Sequence, residues 1–416
     1  MRKVAITIGV AVAAIFLGSG CGSDDSGGSR TLKWYVFAEP SGAFQDAAEN
    51  CTKEANGRYQ IEIVDLPTNA DQQRELVVRR LAAEDSDIDI IGMDVIWTAE
   101  FAEAEWIKEV TGAAREQAER GVLPGPLETA KYQGRLWAIP FTSNTQLLWY
   151  RKDLVKQVPE TWDEMIEQAE RLDTTIQVQA ARYEGFVVWF NSLVASAGGE
   201  IVDDAGDPVL GAPAEQAAEV LKRFASSSVA PPAFTNNRED QARLGFEAGG
   251  SAFQVNYSFV YASAKTGAET NPAVKKIFDN MAWARWPSVD PGKKSRVTLG
   301  GINLGIGSYS ENPELAEEAA LCLAQSDNQV IASEKGGLAP TNAALYDDPR
   351  IKKAFPFAEL LGESIAEGVP RPVTPAYSDI SLAIQQTLHP PQDIDPQKTI
   401  ADLKDNIETV SNGGLF

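Results

Sequence analysis

From Thr31 to Met93 the chain alternates strand and helix patterns, and that order fixes the fold class. Thr31–Ala38 (TLKWYVFA) reads as a strand, Glu39-Pro40-Ser41-Gly42 as a turn, and Ala43 to about Ala55 as a helix. Tyr59–Leu66 (YQIEIVDL) predicts the next strand and Gln72–Ala83 the next helix. Ile88–Met93 follows as a buried strand with Asp94 at its exit. A βαβαβ order implies a parallel sheet covered by helices on both faces. Ligands of such open sheets lie beyond the carboxyl ends of the strands. Glu39 and Asp94 both occupy that edge.

A second group of elements starts at Leu136–Pro140 and passes through Thr142-Ser143-Asn144 into Gln146–Arg151 (QLLWYR). Thr161 predicts the N-cap of a helix over Trp162–Leu172. Glu184–Ala197 reads as a buried helix closed by Gly198-Gly199. Ala214–Phe224 and Gln241–Ala248 read as helices, and Ser251–Asn256 as a strand. Ala282–Pro287 and Val297–Ile306 predict later strands, then Glu311–Ala324 a helix carrying Cys322, with loops and short helices beyond. A body of this length exceeds what one core supports, so two domains are expected.

The amino terminus carries an export signature. Arg2 and Lys3 form a positive start, Val4–Leu17 an apolar run, and Gly18-Ser19-Gly20 the small residues before Cys21. The apolar run is shorter than the ~20 residues of a membrane span. Residues 1–21 therefore read as a bacterial lipoprotein signal with lipidation at Cys21, and residues 22–30 as a flexible tether. The leucine sits four residues before the cysteine instead of three, so an ordinary cleaved signal peptide is the alternative. Either reading sends the body outside the cytoplasm. A formal net charge of −22 repels nucleic acid and anionic lipid, which removes both as partners.

Cysteine and histidine usage excludes several enzyme classes. Beyond Cys21 only Cys51 and Cys322 remain, and in an oxidising compartment they most simply form one disulfide, two buried thiols being the alternative. Such a bridge requires the chain to return to the first domain at about residue 300. The one histidine, His389, cannot support a Ser-His-Asp triad, a histidine-rich zinc site or a Cys-His nucleophile. Gly198-Gly199 and Gly300-Gly301 lack the Lys-Ser/Thr that completes a phosphate loop. No metal or cofactor is expected.

Several segments carry a resemblance. They are Met93–Trp106 (MDVIWTAEFAEAEW), Leu123–Thr129 (LPGPLET), Thr142–Leu154 (TSNTQLLWYRKDL), Val187–Gly199 (VVWFNSLVASAGG), Gly300–Gly305 (GGINLG) and Arg371–Tyr377 (RPVTPAY). Together with the placing of Cys51 and Cys322, they resemble the solute-binding proteins of ABC importers on their sugar-binding branch. Within that branch they are similar to the trehalose-binding lipoproteins of mycobacteria. The resemblance implies an α/β, two-lobed, periplasmic-binding-protein-like fold with a hinge between lobes. It divides the chain into 31–141 plus 298–342 and 142–297 plus 343–416. It implies no enzymatic activity, a disaccharide ligand (trehalose first, then maltose or another α-glucoside), permease transmembrane subunits as partners, and a lipid anchor to the outer face of the cell membrane.

Matching positions imply the site. Asp94, Asn144 and Arg371 correspond to an aspartate, an asparagine and an arginine that hold sugar hydroxyls, with Glu39, Gln73 and Gly337 as neighbours. These residue types suit paired hydroxyls because each donates or accepts two bonds. Trp97, Trp189 and Tyr257 are candidates to stack on a pyranose face, each also fitting a core. Asn191 fits a ligand contact or a polar core position, Asp94 a helix cap, and Arg371 a surface ion pair. The segment Phe253–Tyr261 departs from the resemblance: Tyr257 stands for a tryptophan and Gln254 for a glutamate. A competing reading is a secreted glycoside hydrolase with Glu39 and Asp94 as its carboxylate pair.

Overall fold

The computed structural model describes residues 29–414 apart from residue 204, so the signal segment, Cys21 and most of the tether lie outside the described residues. Strand β1 (Arg30–Phe37) leads through helix α1 (Ala43–Glu54) to β2 (Tyr59–Leu66), and helix α2 (Ala70–Leu81) leads to β3 (Ile90–Asp94). β1 pairs parallel with both β2 and β3, as the βαβαβ order demands. The alternation works because each strand buries bulky residues on both faces. Trp34, Ile90 and Phe141 share one core with Phe44 of α1. Strand β4 (Ile139–Asn144) joins this first sheet, then the chain crosses into β5 (Leu147–Arg151) of a second sheet.

Around the second sheet lie α3 (Trp162–Arg171), β6 (Thr175–Gln177), α4 (Glu184–Ser196), α5 (Ala212–Ala225), α6 (Glu239–Glu247) and β7 (Ser251–Asn256). Thr161 does cap α3, accepting from the Glu164 N–H. Helices α7 (Phe259–Thr270) and α8 (Pro272–Asn280) precede β8 (Met281–Ala284). The chain then returns as β9 (Gly300–Ile306), antiparallel to β3 and β4 in the first sheet. Helices α9 (Pro313–Leu323) and α10 (Ser326–Gly336) and strand β10 (Ala339–Pro340) follow. The order is β10-β4-β9-β3-β1-β2 in the first sheet and β8-β5-β7-β6 in the second. The first sheet is thus mixed, because every strand arriving after the first crossing runs antiparallel.

The return at Gly300 brings Cys322 on α9 against Cys51 on α1. The two are disulfide-bonded, 271 residues apart, with Cα atoms 5.8 Å apart. The Asn328 amide donates to the Cys322 carbonyl at 2.9 Å, tying α10 to the same joint.

Three expectations need correction. β4 stays paired to β9 as far as Asn144, so the crossing falls after that residue instead of after 141. The carboxyl-terminal part is not mainly loops and short helices. It holds α11 (Ala358–Ala366), α12 (Tyr377–Leu388) and α13 (Pro396–Ser411), the last buried through Ile400, Leu403, Ile407 and Val410 at helical spacing. α7 and α8 occupy a stretch where the sequence reading places no element.

Candidate functional site

The cleft between the two sheets encloses a cavity of about 480 Å³, within the usual range for small-molecule sites. On the side of the first sheet it is lined by Phe37, Asp94 and Asn144 of the strands and Gln73 of α2, and on the side of the second by Tyr183, Glu184, Tyr257 and Arg371, which lie on α4 or in loops.

Asp94 is the last residue of β3, where the ladder to β9 ends opposite Ile302. One carboxylate oxygen, Oδ1, accepts from the Ile96 N–H at 3.2 Å and from Arg371 Nη2 at 3.0 Å. Among the described residues Oδ2 accepts no hydrogen bond, and the side chain is 23% exposed.

Asn144 ends β4 opposite Gly300. A Cβ at Gly300 would stand 2.2 Å from Asn144 Oδ1, so glycine there is what lets the amide lie along the cleft. Gly301 has a separate reason: its φ is +134°, and a Cβ would meet the Thr142 carbonyl oxygen at 2.2 Å.

Arg371 lies in the segment between α11 and α12 and is 4% exposed. Its Nη1 donates to Glu184 Oε1 at 2.7 Å, so the guanidinium spans Asp94 of the first lobe and Glu184 of the second. Burial opposes its charge, but Asp94, Tyr377 and Glu184 outweigh burial and leave its pKa raised. Glu184, the first residue of α4, also accepts from Ser381 Oγ at 2.6 Å and from the Tyr377 hydroxyl, both on α12. Burial still pushes its carboxyl above the ordinary value, against the pull of Arg371, Ser381 and Tyr377. Burial and Glu239 likewise raise the Tyr257 phenol.

Three helices begin at this cleft, and each carries acid in its first turn: Asp71 on α2, Glu184 on α4, Glu239 and Asp240 on α6. The partial positive charge of a helix N-terminus favours carboxylates there. Burial raises the pKa of Asp71, with Asp94 adding to it and Arg238 and Arg74 opposing. Burial raises Glu239 as well. Arg238 lies over the Tyr183 ring at 4.9 Å, a cation–π contact at the second-lobe rim.

Of the residues singled out from sequence, Asp94, Asn144, Arg371, Gln73, Tyr257 and Gly337 line the cavity. Gly337 closes α10 in the left-handed conformation, and its carbonyl accepts from Ser258 Oγ at 2.8 Å. The structure does not bring Glu39, Trp97 or Asn191 to the cavity wall. The Glu39 carboxylate is taken by the start of α1, accepting from the Ser41 and Ala43 N–H groups at 2.9 Å each. Trp97 is buried and stacks on Phe101 at 5.7 Å. Asn191 donates to Thr298 Oγ1 at 3.0 Å and the Pro370 carbonyl at 3.3 Å, holding two crossing segments together. Trp189 packs between Trp162 and Phe224 in the second core. A carboxylate pair of Glu39 and Asp94 across a glycosidic bond is therefore not assembled.

Sequence reasoning passed over Asp71, Tyr183, Glu184, Arg238 and Glu239. One signal was present: Glu184 is an acid at the head of an otherwise apolar helix, which demands a buried partner.

Fold and cleft together have the form of a two-lobed binding protein, with a polar cavity between its two sheets. Residues 37–330 match the bacterial extracellular solute-binding protein family, and the chain belongs to that family. It is 27% identical over 352 residues to a probable ABC transporter-binding protein of Deinococcus radiodurans, covering 79% of this chain and 81% of that one. A maltotriose-binding protein of Pyrococcus abyssi is 24% identical, covering 83% and 75%. Among solved structures, maltose-bound MalE3 of T. maritima superposes with a TM-score of 0.81 at 28% identity, over 91% of this chain and 99% of that one. The GacH receptor of Streptomyces glaucescens, solved unliganded and with acarbose, shares the fold at a TM-score of 0.79 and 20% identity, over 93% and 100%. These relatives are solute-binding proteins, not enzymes. Among the described residues no helix is long and apolar enough to cross a membrane.

Proposed function

We propose that this chain is the substrate receptor of an ABC sugar importer, capturing a disaccharide between its lobes and delivering it to the permease transmembrane subunits. The observation that carries this reading is the preset polar wall of Asp94, Asn144, Gln73, Tyr257 and Arg371 around one cavity. Paired hydroxyls of a sugar match the free Asp94 Oδ2, the Asn144 amide and the guanidinium edge. A site that holds substrate and not a transition state needs no tuned acid–base pair, and Glu39 is already committed to α1.

Trehalose is the leading ligand, on the strength of the segments shared with trehalose-binding lipoproteins. Maltose or another α-glucoside is second, supported by the maltose-bound and maltotriose-binding relatives. Cleavage at the export signature and lipid on Cys21 would tether the receptor to the outer face of the membrane. We assign 31–144 plus 298–342 to lobe I and 145–297 plus 343–416 to lobe II, with the hinge at their crossings.

The test is calorimetric titration of residues 30–416 with trehalose and then maltose. Heat with trehalose alone supports a trehalose receptor, and heat with maltose alone moves the assignment to maltose. Silence with both and with a wider glycoside panel refutes a sugar receptor.

A further inference from the structure

The least expected group at the cleft is Glu184. It is a carboxylate 6% exposed, at the head of a helix whose thirteen residues are all buried. Both its oxygens are engaged inside the protein: Oε1 accepts from Arg371 Nη1 and the Tyr377 hydroxyl, and Oε2 from Ser381 Oγ, which itself accepts from Gln385 Nε2 at 3.0 Å. Three protein donors and near-complete burial commit Glu184 to its own lobe. Its effect on the cleft passes through the guanidinium it grips.

That grip decides how Arg371 meets Asp94. With Nη1 held by Glu184, only Nη2 reaches Asp94, where it bonds Oδ1 and not Oδ2, and it also donates to the Leu299 carbonyl at 3.5 Å. Arg371 Nε is buried with no partner. A guanidinium released from Glu184 has a better arrangement available, the two-pronged fork in which Nε and Nη2 take both oxygens of one carboxylate. That fork would consume Asp94 Oδ2, the oxygen the described structure leaves open to the cavity.

We propose that Glu184 is the positioning residue of the ligand site: it holds Arg371 in a one-pronged contact and so keeps one oxygen of Asp94 free for a sugar hydroxyl. This rests on the receptor reading above. It adds that the free acceptor in lobe I is maintained by a buried carboxylate in lobe II. Ser381 and Tyr377 act one step further back, fixing Glu184 itself. Because Arg371 also carries the contact between lobes, a ligand hydroxyl that joins Asp94 is added to the interlobe bridge and does not replace it.

The test is a double-mutant cycle read by calorimetry with trehalose and maltose, alongside thermal melting. The variants are Glu184→Gln, Arg371→Met and the pair together. Glu184→Gln should weaken binding about tenfold or more, and Arg371→Met at least as much. In the Arg371→Met background, Glu184→Gln should change Kd by less than about threefold, since the group it acts through is gone. A merely structural Glu184 would lower melting temperature and weaken binding by the same factor in both backgrounds, which overturns the proposal. Wild-type affinity in Glu184→Gln overturns it too. Should Glu184→Gln fail to fold, Ser381→Ala and Tyr377→Phe loosen Glu184 without altering charge. Each must then weaken binding several-fold, and an unchanged Kd in either is refutation. A wild-type protein that binds neither sugar nor any of a glycoside panel overturns the receptor reading along with this one. A wild-type protein that binds while the cycle is additive overturns this one alone.

Discussion

Replacing Asp94 by alanine separates binding from folding, and the geometry gives a magnitude for each. In the folded protein Asp94 caps the turn Val95–Trp97 through the Ile96 N–H and pairs with Arg371. Loss of such a cap costs about 1 kcal/mol. The ion pair costs less to lose than its burial suggests. Asp94, Arg371 and Glu184 together carry one excess negative charge, so removing Asp94 leaves Arg371 balanced by Glu184 and not orphaned. The expected penalty is about 1–2 kcal/mol, a fall of roughly 2–8 °C in Tm for a lobe of this size.

The binding penalty is larger. The free carboxylate oxygen accepting a sugar hydroxyl contributes about 1.5–3 kcal/mol, so alanine should raise Kd by roughly one to two decades. Asp94→Asn keeps the cap, because asparagine caps as well as aspartate. It should melt within about 2 °C of wild type yet bind at least tenfold more weakly. Calorimetry and melting on the same preparations check both halves. An alanine variant whose Kd stays within about threefold of wild type refutes Asp94 as a ligand group. One that does not fold refutes the charge-balance argument.

The Cys51–Cys322 bond closes a loop of 271 residues, for which chain entropy gives an upper figure of about 5–6 kcal/mol and measured bridges typically 2–4. Cys51→Ala/Cys322→Ala should melt roughly 5–15 °C lower with unchanged sugar affinity at 25 °C, and equal melting would argue against the bond's role. Gly300→Ala should displace Asn144 and weaken binding about tenfold with little change in Tm. Gly301→Ala should lower Tm more, because its obstacle is the Thr142 backbone and its φ is positive; the reverse order would refute the local reading. Asp71, Glu184 and Glu239 have raised folded-state pKa values. Such carboxyls hold protons that the unfolded chain has already released, so their contribution is full below about pH 4 and is lost as pH rises through the raised values. His389, whose pKa burial lowers, opposes this below about pH 6.5, one group against three; Tm at about pH 5 should therefore exceed Tm at about pH 8, checked by calorimetric melting in matched ionic strength.

Period-two and period-3.6 patterns made most elements of the first lobe legible, because β1 and β3 are buried strands and β2 alternates apolar and exposed polar residues, each bounded by turn residues. Phe259–Thr270 was not, since its Ala, Ser, Thr and Gly residues give little amphipathic contrast and only Val260 and Ala264 are buried. Asp94 was legible as a polar residue at a strand exit, and Asn144 only through the resemblance. Arg371 was reachable only through the resemblance, because nothing local says that a loop residue between prolines is drawn under the cleft. Trp97 and Asn191 misled for a common reason. Each sits within one helical turn or one crossing of the cleft, but Trp97 turns into the first core and Asn191 toward Thr298. The acids of α2 and α6 look like ordinary first-turn surface acids, and only tertiary structure shows that three helix N-termini converge.

That convergence explains how one cleft accommodates so many carboxylates and what kind of ligand it suits. Asp71, Glu184, Glu239 and Asp240 each stand in the first turn of a helix that opens on the cavity. Arg371 and Arg238 supply cations from the second-lobe side. An anionic ligand would meet this acceptor-rich wall and a protein of net charge −22, both repulsive. A neutral polyol meets the opposite situation, since each hydroxyl can donate to a carboxylate and accept from a guanidinium or amide. The wall is costly to desolvate unless those bonds are made, so a ligand with few hydroxyls loses more than it gains on entry. Charge, hydrogen-bond inventory and helix placement therefore disfavour an anion and suit a hydroxyl-rich molecule. The part of it that reaches Asp94 must present a donor, not an acceptor.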